Sequence, residues 1–584
     1  MRPRLLGSLL ISSLLAVSLT AATAREKWSQ KLPGAARWHQ LTPLGILLVG
    51  TDGALLAYDT EDGKVLWKRD DITKSNRNSA RPIDGTPFLV ANNFAGIAGS
   101  KVTLQLLDYV EGKTLWSTPQ VMGQYLDTLP VPERDLVIFV LQTQEEKEHG
   151  IFLFAHDLNT GKRRWATKFC KAGGIPLHTA DNSGKFVPTL DLSGYHDPVV
   201  EGNEMYLGYL GVHCVDLDTG AIKWGVEFPP GDKNFKRTYA PLRIDGDLIY
   251  GAGGGSVQAI NRRTGQLAWK SDRVSDYAGL FKARDNAIVS QLELVEGKVL
   301  ARYGGNFSDG RAVQLKEPLG VLVLDAASGR ELFHMDKPKE GLTNLMVLPE
   351  IGAVLFADAA NLYGIDVGSD TPKETFKVAI EFKRKMGGGD VAKIGLGALG
   401  GLQGLAKGVM AQSKARLDVP VAISRMDGHI VVQGKHHLLG FDPAAQDQKW
   451  SLYYAAPSDA LASSALFAVT ALASLQGNAM AAPHSYGSSG YNQGANLIHS
   501  SLDRYYKFTE RRAARGKSEA SQSYAYILTK LDKRDIGLLG VNLNTGEGNR
   551  QLVLKDKEPE YSVDERTGRV FQFTDRGQLV CHEF

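Results

Sequence analysis

The chain has 584 residues, of which 43% are hydrophobic and 22% charged, with a formal net charge of +3 at pH 7. These proportions are those of a soluble, folded protein, and a charge balance so close to zero asks for no nucleic acid. Length alone would allow several domains.

The chain opens with Arg2 and Arg4, an apolar run over 5–19, and the small-residue triplet Ala22-Thr23-Ala24. This is the pattern of an export signal. The expectation is a signal peptide at 1–24 and a mature periplasmic or secreted protein from Arg25. The apolar run is shorter than the ~20 residues needed to span a bilayer. Arg2 and Arg4 are not adjacent, which favours general secretion over the twin-Arg route. No Cys stands at the cleavage site to carry a lipid anchor.

A short pattern then recurs ten times: Asp, Gly four residues on and Trp eight residues on. The full copies are Asp59, Gly63 and Trp67; Asp108, Gly112 and Trp116; Asp157, Gly161 and Trp165; and Asp216, Gly220 and Trp224. Two copies vary one place each: Asn261, Gly265 and Trp269, then Asp325, Gly329 and Phe333. Weaker copies begin at Asp366, Asp442 (with Trp450) and Asn542 (with Gly546), and a tenth begins at Gln578. A repeat of this size means a propeller, solenoid or array. Asp-x-x-x-Gly between two β-prone runs is hairpin chemistry, because Asp bonds the backbone ahead and Gly takes positive φ cheaply. With another apolar run upstream and room for a fourth, each unit is a four-stranded meander, the size of a propeller blade. The predicted fold is all-β: a closed propeller of eight to ten blades over 25–584.

The last copy stops before its own Trp strand, and Trp28 near the mature N-terminus can fill that slot. The first strand would then complete the last blade and remove an open sheet edge. Cys214 and Cys581 align with Ala57, a small core slot, where a thiol packs as a small hydrophobe. The third Cys, Cys170, lies in a connecting segment.

Two insertions break the repeat, at 385–416 and 456–523. The first places apolar residues at helical spacing, with Gly400, Gly404 and Gly408 on one line where another backbone can approach. The second predicts an Ala-rich helix to about Leu475, then a basic, aromatic stretch containing Arg504, Tyr505, Tyr506, Arg511 and Arg512. Both insertions leave after a motif's last strand, so both helices belong on one face. The readings are a self-packed cap, a partner-docking surface or peripheral membrane contact.

Catalytic signals are sparse. The 13 His residues show no His-x-x-x-His spacing, and His436-His437 lie in a strand-like run, facing opposite ways. The stretch 170–197 carries His178, Asp181, Asp191 and His196 without a metal-ligand spacing. No catalytic or metal residues are assigned.

The pattern Ala-x-Asp-x-x-x-Gly-Lys-x-x-Trp, intact at 57–67 and 155–165, resembles the tryptophan-docking motif of the pyrroloquinoline-quinone (PQQ)-type propeller repeat. The resemblance covers almost the whole mature chain and implies a propeller, usually of eight blades. Within that family the chain looks like the propeller subunits of the bacterial outer-membrane barrel-assembly machinery. That implies a non-enzymatic envelope scaffold that binds other proteins and needs no cofactor. The missing lipid-anchor Cys and the two insertions are departures from it. The alternative is a PQQ-dependent quinoprotein dehydrogenase, which holds PQQ and calcium and commonly an adjacent Cys-Cys pair. No such pair stands in this chain, and a fold does not carry its function with it.

Overall fold

Short apolar runs joined by tight turns bury little surface alone, so they pair into sheets and the sheets stack. The computed structural model describes residues 22–584 except 171–197, 228–239, 273–288, 381–419 and 455–523, and several shorter stretches, the longest being 96–100. The described residues are all-β and propeller-like. Their helical content is two 3-10 turns, Pro132–Arg134 and Pro349–Ile351. The two predicted helical insertions lie outside the described residues.

Among the described residues, ten four-stranded sheets follow one another along the chain. Sheet one consists of Ala36–Leu41, Ile46–Thr51, Leu55–Asp59 and Val65–Arg69, each antiparallel to the next. Sheets two to eight repeat this order within 80–117, 124–170, 199–227, 243–270, 289–336, 346–379 and 420–453. Sheet nine holds Tyr524–Lys530, Ile536–Asn542 and Gly548–Val553, with Ala22–Thr23 added in parallel outside the last. The leader reading did not anticipate that added strand. Sheet ten holds Glu560–Asp564, Arg569–Thr574 and Gln578–Glu583, and its fourth strand is Arg25–Lys31. Trp28 pairs with Cys581, as the alignment of the two chain ends predicts.

Among the described residues the core is divided among ten clusters, each joining two neighbouring sheets. Leu48 and Trp67 of sheet one meet Leu89 and Leu107 of sheet two. The same sharing joins every consecutive pair to sheets nine and ten. A further cluster joins Phe571 and Cys581 of sheet ten to Leu47 and Tyr58 of sheet one. Cys214 and Cys581 are fully buried, and burial pushes both thiols up to about 12. Their small-hydrophobe reading holds.

The repeated motif is what joins neighbours. The Asp caps its own turn: Asp59 Oδ1 accepts from Glu61 N at 2.7 Å, and Asp108 Oδ1 from Val110 N at 2.8 Å. The motif glycines Gly63, Gly112, Gly161, Gly220, Gly265, Gly329 and Gly546 all hold φ between 69° and 75°. Each also leaves room for the Trp of the preceding sheet. A Cβ at these seven glycines would stand 2.5–2.7 Å from the rings of Trp28, Trp67, Trp116, Trp165, Trp224, Trp269 and Trp450 respectively. Thus Gly112 receives Trp67 and Gly265 receives Trp224, neither of them the Trp of its own copy. Each of those indoles donates to the carbonyl just after the next sheet's Asp or Asn, from Trp67 to Tyr109 O at 2.7 Å through Trp28 to Thr60 O at 3.3 Å. Each Trp is therefore keyed to a Gly in another sheet.

The exceptions obey the same geometry. Phe376 takes the slot in sheet seven, opposite Gly364, ten residues after Asp366 because its turn is two residues longer. The turns that follow the two Phe slots lack the Gly: Asp370 stands at that place in sheet seven, and Gln446, at φ 52°, in sheet eight. A smaller ring tolerates a Cβ where an indole does not. In sheet nine the slot opposite Gly540 holds Arg550. Its guanidinium lies 3.8 Å over the Tyr524 ring and donates to the Tyr526 hydroxyl at 2.8 Å.

Candidate functional site

Strand order gives the stack two unlike ends. Hairpins between first and second strands, and the Asp/Gly turns between third and fourth, share one end. In sheet one the Thr60 hydroxyl of one turn bonds the Gly45 carbonyl of the other at 2.7 Å. At the opposite end lie the second-to-third hairpins and the passages between sheets. There sheet two carries the extra strands Asn93–Ala95, Lys101–Thr103 and Val121–Met122. Sheets three and six extend long hairpins, Leu136–Glu145/Glu148–Asp157 and Lys298–Ser308/Val313–Asp325. The strands that flank 171–197, 228–239, 273–288 and 381–419 end and resume at this connection end. The strand that precedes 455–523 also ends there.

The candidate partner residues Gly400, Gly404, Gly408, Arg504, Tyr505, Tyr506, Arg511 and Arg512 lie outside the described residues. The strands before them put their points of departure at the connection end. The motif Asp, Gly and Trp residues, by contrast, cap their own turns and join neighbouring sheets.

Polar side chains on or just before the first strands also join neighbours. Arg243 bonds Glu293 at 3.2 Å. The Asn344 amide donates to Ile423 O at 2.9 Å and accepts from Ile423 N at 3.0 Å, imitating a backbone pair. Ser562 and His39 Nδ1 stand 2.7 Å apart, with the imidazole stacked 4.1 Å from Phe573. His437 is buried at the start of its strand, in keeping with a structural role. Among the described residues no three His, Cys, Asp or Glu gather as metal ligands, and no helix is long and apolar enough to cross a membrane.

Where sheets ten and one meet, charges cluster. The Arg569 side chain is 3% exposed and bonds Glu61 Oε1 at 2.6 Å and Glu583 Oε1 at 3.2 Å. Lys27 adds a bond to Glu583 at 3.0 Å. Burial alone would lower the Arg569 pKa, but the two carboxylates outweigh it and raise it.

Buried His156 and half-buried His582 are expected to make stability depend on pH. His156 stacks on Trp116 and its Nδ1 bonds the Gly161 carbonyl at 2.9 Å. His582 bonds Gln572 Oε1 at 3.1 Å. Burial lowers both pKa values below 6.5. The unfolded chain thus binds more protons than the folded one across that interval. Stability is full above pH ~6.5 and is lost as pH falls from there through the folded values. Urea midpoints taken from pH 7.5 to 5 should fall, and His156→Phe should flatten the slope. A wild-type profile flat over that range would rule these histidines out.

The family model described as outer membrane protein assembly factor BamB matches residues 13–226 and 153–332, together more than half of the chain. A curated relative, quinoprotein alcohol dehydrogenase PedH of Pseudomonas putida, is 27% identical over 148 residues; the match spans 23% of this chain and 23% of that relative's length. Among solved structures, BamB from Moraxella catarrhalis is 12% identical, with 72% of this chain and 97% of that one covered and a TM-score of 0.34. A europium-containing methanol dehydrogenase is also 12% identical, with 61% and 81% covered and a TM-score of 0.31.

Proposed function

The chain belongs to the outer membrane protein assembly factor BamB family, and on that premise we propose that it is an exported, non-enzymatic propeller that binds other proteins of the cell envelope. Its ten sheets form a closed ring, with Arg25–Lys31 as the clasp. The observation that carries the docking role is the asymmetry of the two ends. Every long passage leaves from one end; the other is closed by short turns, except that 455–523 resumes there, at Tyr524 opposite Asn542. A scaffold needs a rigid body with one elaborated face.

Partner capture is assigned to the two insertions, with Gly400, Gly404 and Gly408 against another backbone and Arg504, Tyr505, Tyr506, Arg511 and Arg512 as the basic, aromatic contact. Capture from envelope extract should succeed with the whole chain and fail when 385–416 and 456–523 are replaced by short linkers. Gly404→Leu should weaken capture while the melting temperature stays unchanged. A fall in melting temperature with Gly404→Leu would assign the helices to the core and end this reading of them. Capture that persists without both insertions would move the docking face elsewhere.

No cofactor belongs to this reading. Titration with PQQ and calcium should give no saturable change in cofactor absorbance. Stoichiometric binding with dye-linked alcohol oxidation would replace the scaffold with a quinoprotein dehydrogenase.

A further inference from the structure

One position in the second strand lies two residues beyond the partner of the Ala57-type slot. It is small or apolar in seven sheets, among them Gly50, Val140, Gly208 and Ala252. Sheets two and eight hold the uncharged amides Asn92 and Gln433 there. Packing therefore asks for no charge at this place. In sheet six the same position is Arg302. Its residue is 8% exposed, its Nε donates to Ser290 Oγ at 2.7 Å, and its Nη1 reaches Leu342 O at 3.4 Å. Both acceptors are neutral. The nearby carboxylate of Glu293 is held by Arg243. Burial lowers Arg302 to about 10, so the guanidinium still carries its charge at neutral pH.

A buried charge is normally paired, because its desolvation is otherwise uncompensated. Arg302 has no ion pair with any described residue. Its Nη2 has no acceptor among the described residues, yet it is not one of the partnerless atoms sealed from solvent. The nitrogen left without a bond to the described residues is thus Nη2, beside an Nη1 held only by the Leu342 carbonyl, in a residue that keeps 8% of its surface exposed. The bond to Leu342 O is long and easily exchanged. Ser290 fixes the plane from the other side, donating onward to Gly304 O at 2.7 Å.

We propose that Arg302 anchors a binding site for a small carboxylate between sheets six and seven. A planar carboxylate matches two parallel N–H groups of one guanidinium, which a compact ammonium cannot reproduce. Ser290 acts as the positioning residue.

The test uses the whole chain at pH 7.5 and constant ionic strength, with sodium acetate replacing sodium chloride. Acetate should raise the melting temperature saturably, and calorimetry should give a one-site isotherm. Arg302→Lys should weaken acetate binding at least tenfold. Arg302→Met should abolish it and melt no lower than the wild type in chloride, since most sheets hold a small or apolar residue at this position. No acetate-specific effect in the wild type overturns the proposal, as does an equal effect in Arg302→Met. Inorganic phosphate binding as well as acetate would overturn the carboxylate assignment. Should Arg302→Met melt lower, the wild-type titration and Arg302→Lys decide alone.

Discussion

Trp165→Ala should destabilise the protein by ~3–5 kcal/mol, the usual cost of truncating a buried large aromatic. Trp165 is 8% exposed, sits in the cluster between sheets three and four, and donates to Leu217 O at 2.7 Å. Removing it leaves a cavity and a buried carbonyl without its donor. The informative control is Trp165→Phe, because sheets six and seven already hold Phe333 and Phe376 in this slot. Phe should cost less than Ala, with the lost indole bond contributing ~1–3 kcal/mol. Gly220→Ala should also be costly, since its φ is 74° and its Cβ would stand 2.5 Å from the Trp165 ring. In the Trp165→Phe background the clash part of that cost should shrink, so the double mutant should be milder than the sum. Denaturant midpoints of the wild type, the two single mutants and the double mutant check this. Strict additivity would mean that Trp165 and Gly220 act separately.

That coupling also shows what the sequence could reveal. Within one copy, Asp, Gly and Trp lie close together, so their spacing stood out and the sheets followed from it. The partnership between a Trp and the next sheet's Gly, such as Trp67 with Gly112 or Trp224 with Gly265, crosses about one whole repeat, and no local period reports it. Phe376 escaped because a longer turn moved it out of the eight-residue spacing. Arg550 escaped because nothing marks a polar residue as the occupant of an aromatic slot. Its stacking on Tyr524 and bond to Tyr526 appear only once sheet nine is paired. Arg302 did leave a signal: it is the one charge in the run Val299-Leu300-Ala301-Arg302-Tyr303. A strand buried on both faces should not carry it without a reason. The N-terminal strand was legible because the tenth copy lacked its Trp and Trp28 lacked a copy. The insertions were visible as interruptions, and the docking role proposed for them rests on composition and on where the strands before them end.

The Arg569 cluster was invisible in sequence for a plain reason: Arg569 and Glu61 lie 508 residues apart. Arg569→Met should nonetheless be among the most damaging single changes. Removing one partner of a buried ion pair typically costs ~3–5 kcal/mol because the remaining charge is stranded. Here Glu61 and Glu583 keep 42% and 30% of their side-chain surface, and Lys27 stays beside them. Their residual charge is therefore partly hydrated, and the expected loss is ~2–4 kcal/mol, toward or below the lower end of that range. Glu61→Gln should cost much less, near the ~0–1 kcal/mol of an exposed pair. The loss should also be local at first. Arg25–Lys31 is held to Gln578–Glu583 by strand pairing, to sheet one by Trp28 against Gly63, and to both by this cluster. Loosening the cluster weakens the clasp before it touches the core between other sheets. Hydrogen exchange in Arg569→Met should accelerate first over 25–31 and 578–583, while 136–157 keeps its protection. If protection falls evenly across all ten sheets, the first strand melts with the whole molecule and is not a separable clasp. If neither exchange nor the denaturant midpoint moves, Arg569 contributes nothing to joining sheet ten to sheet one.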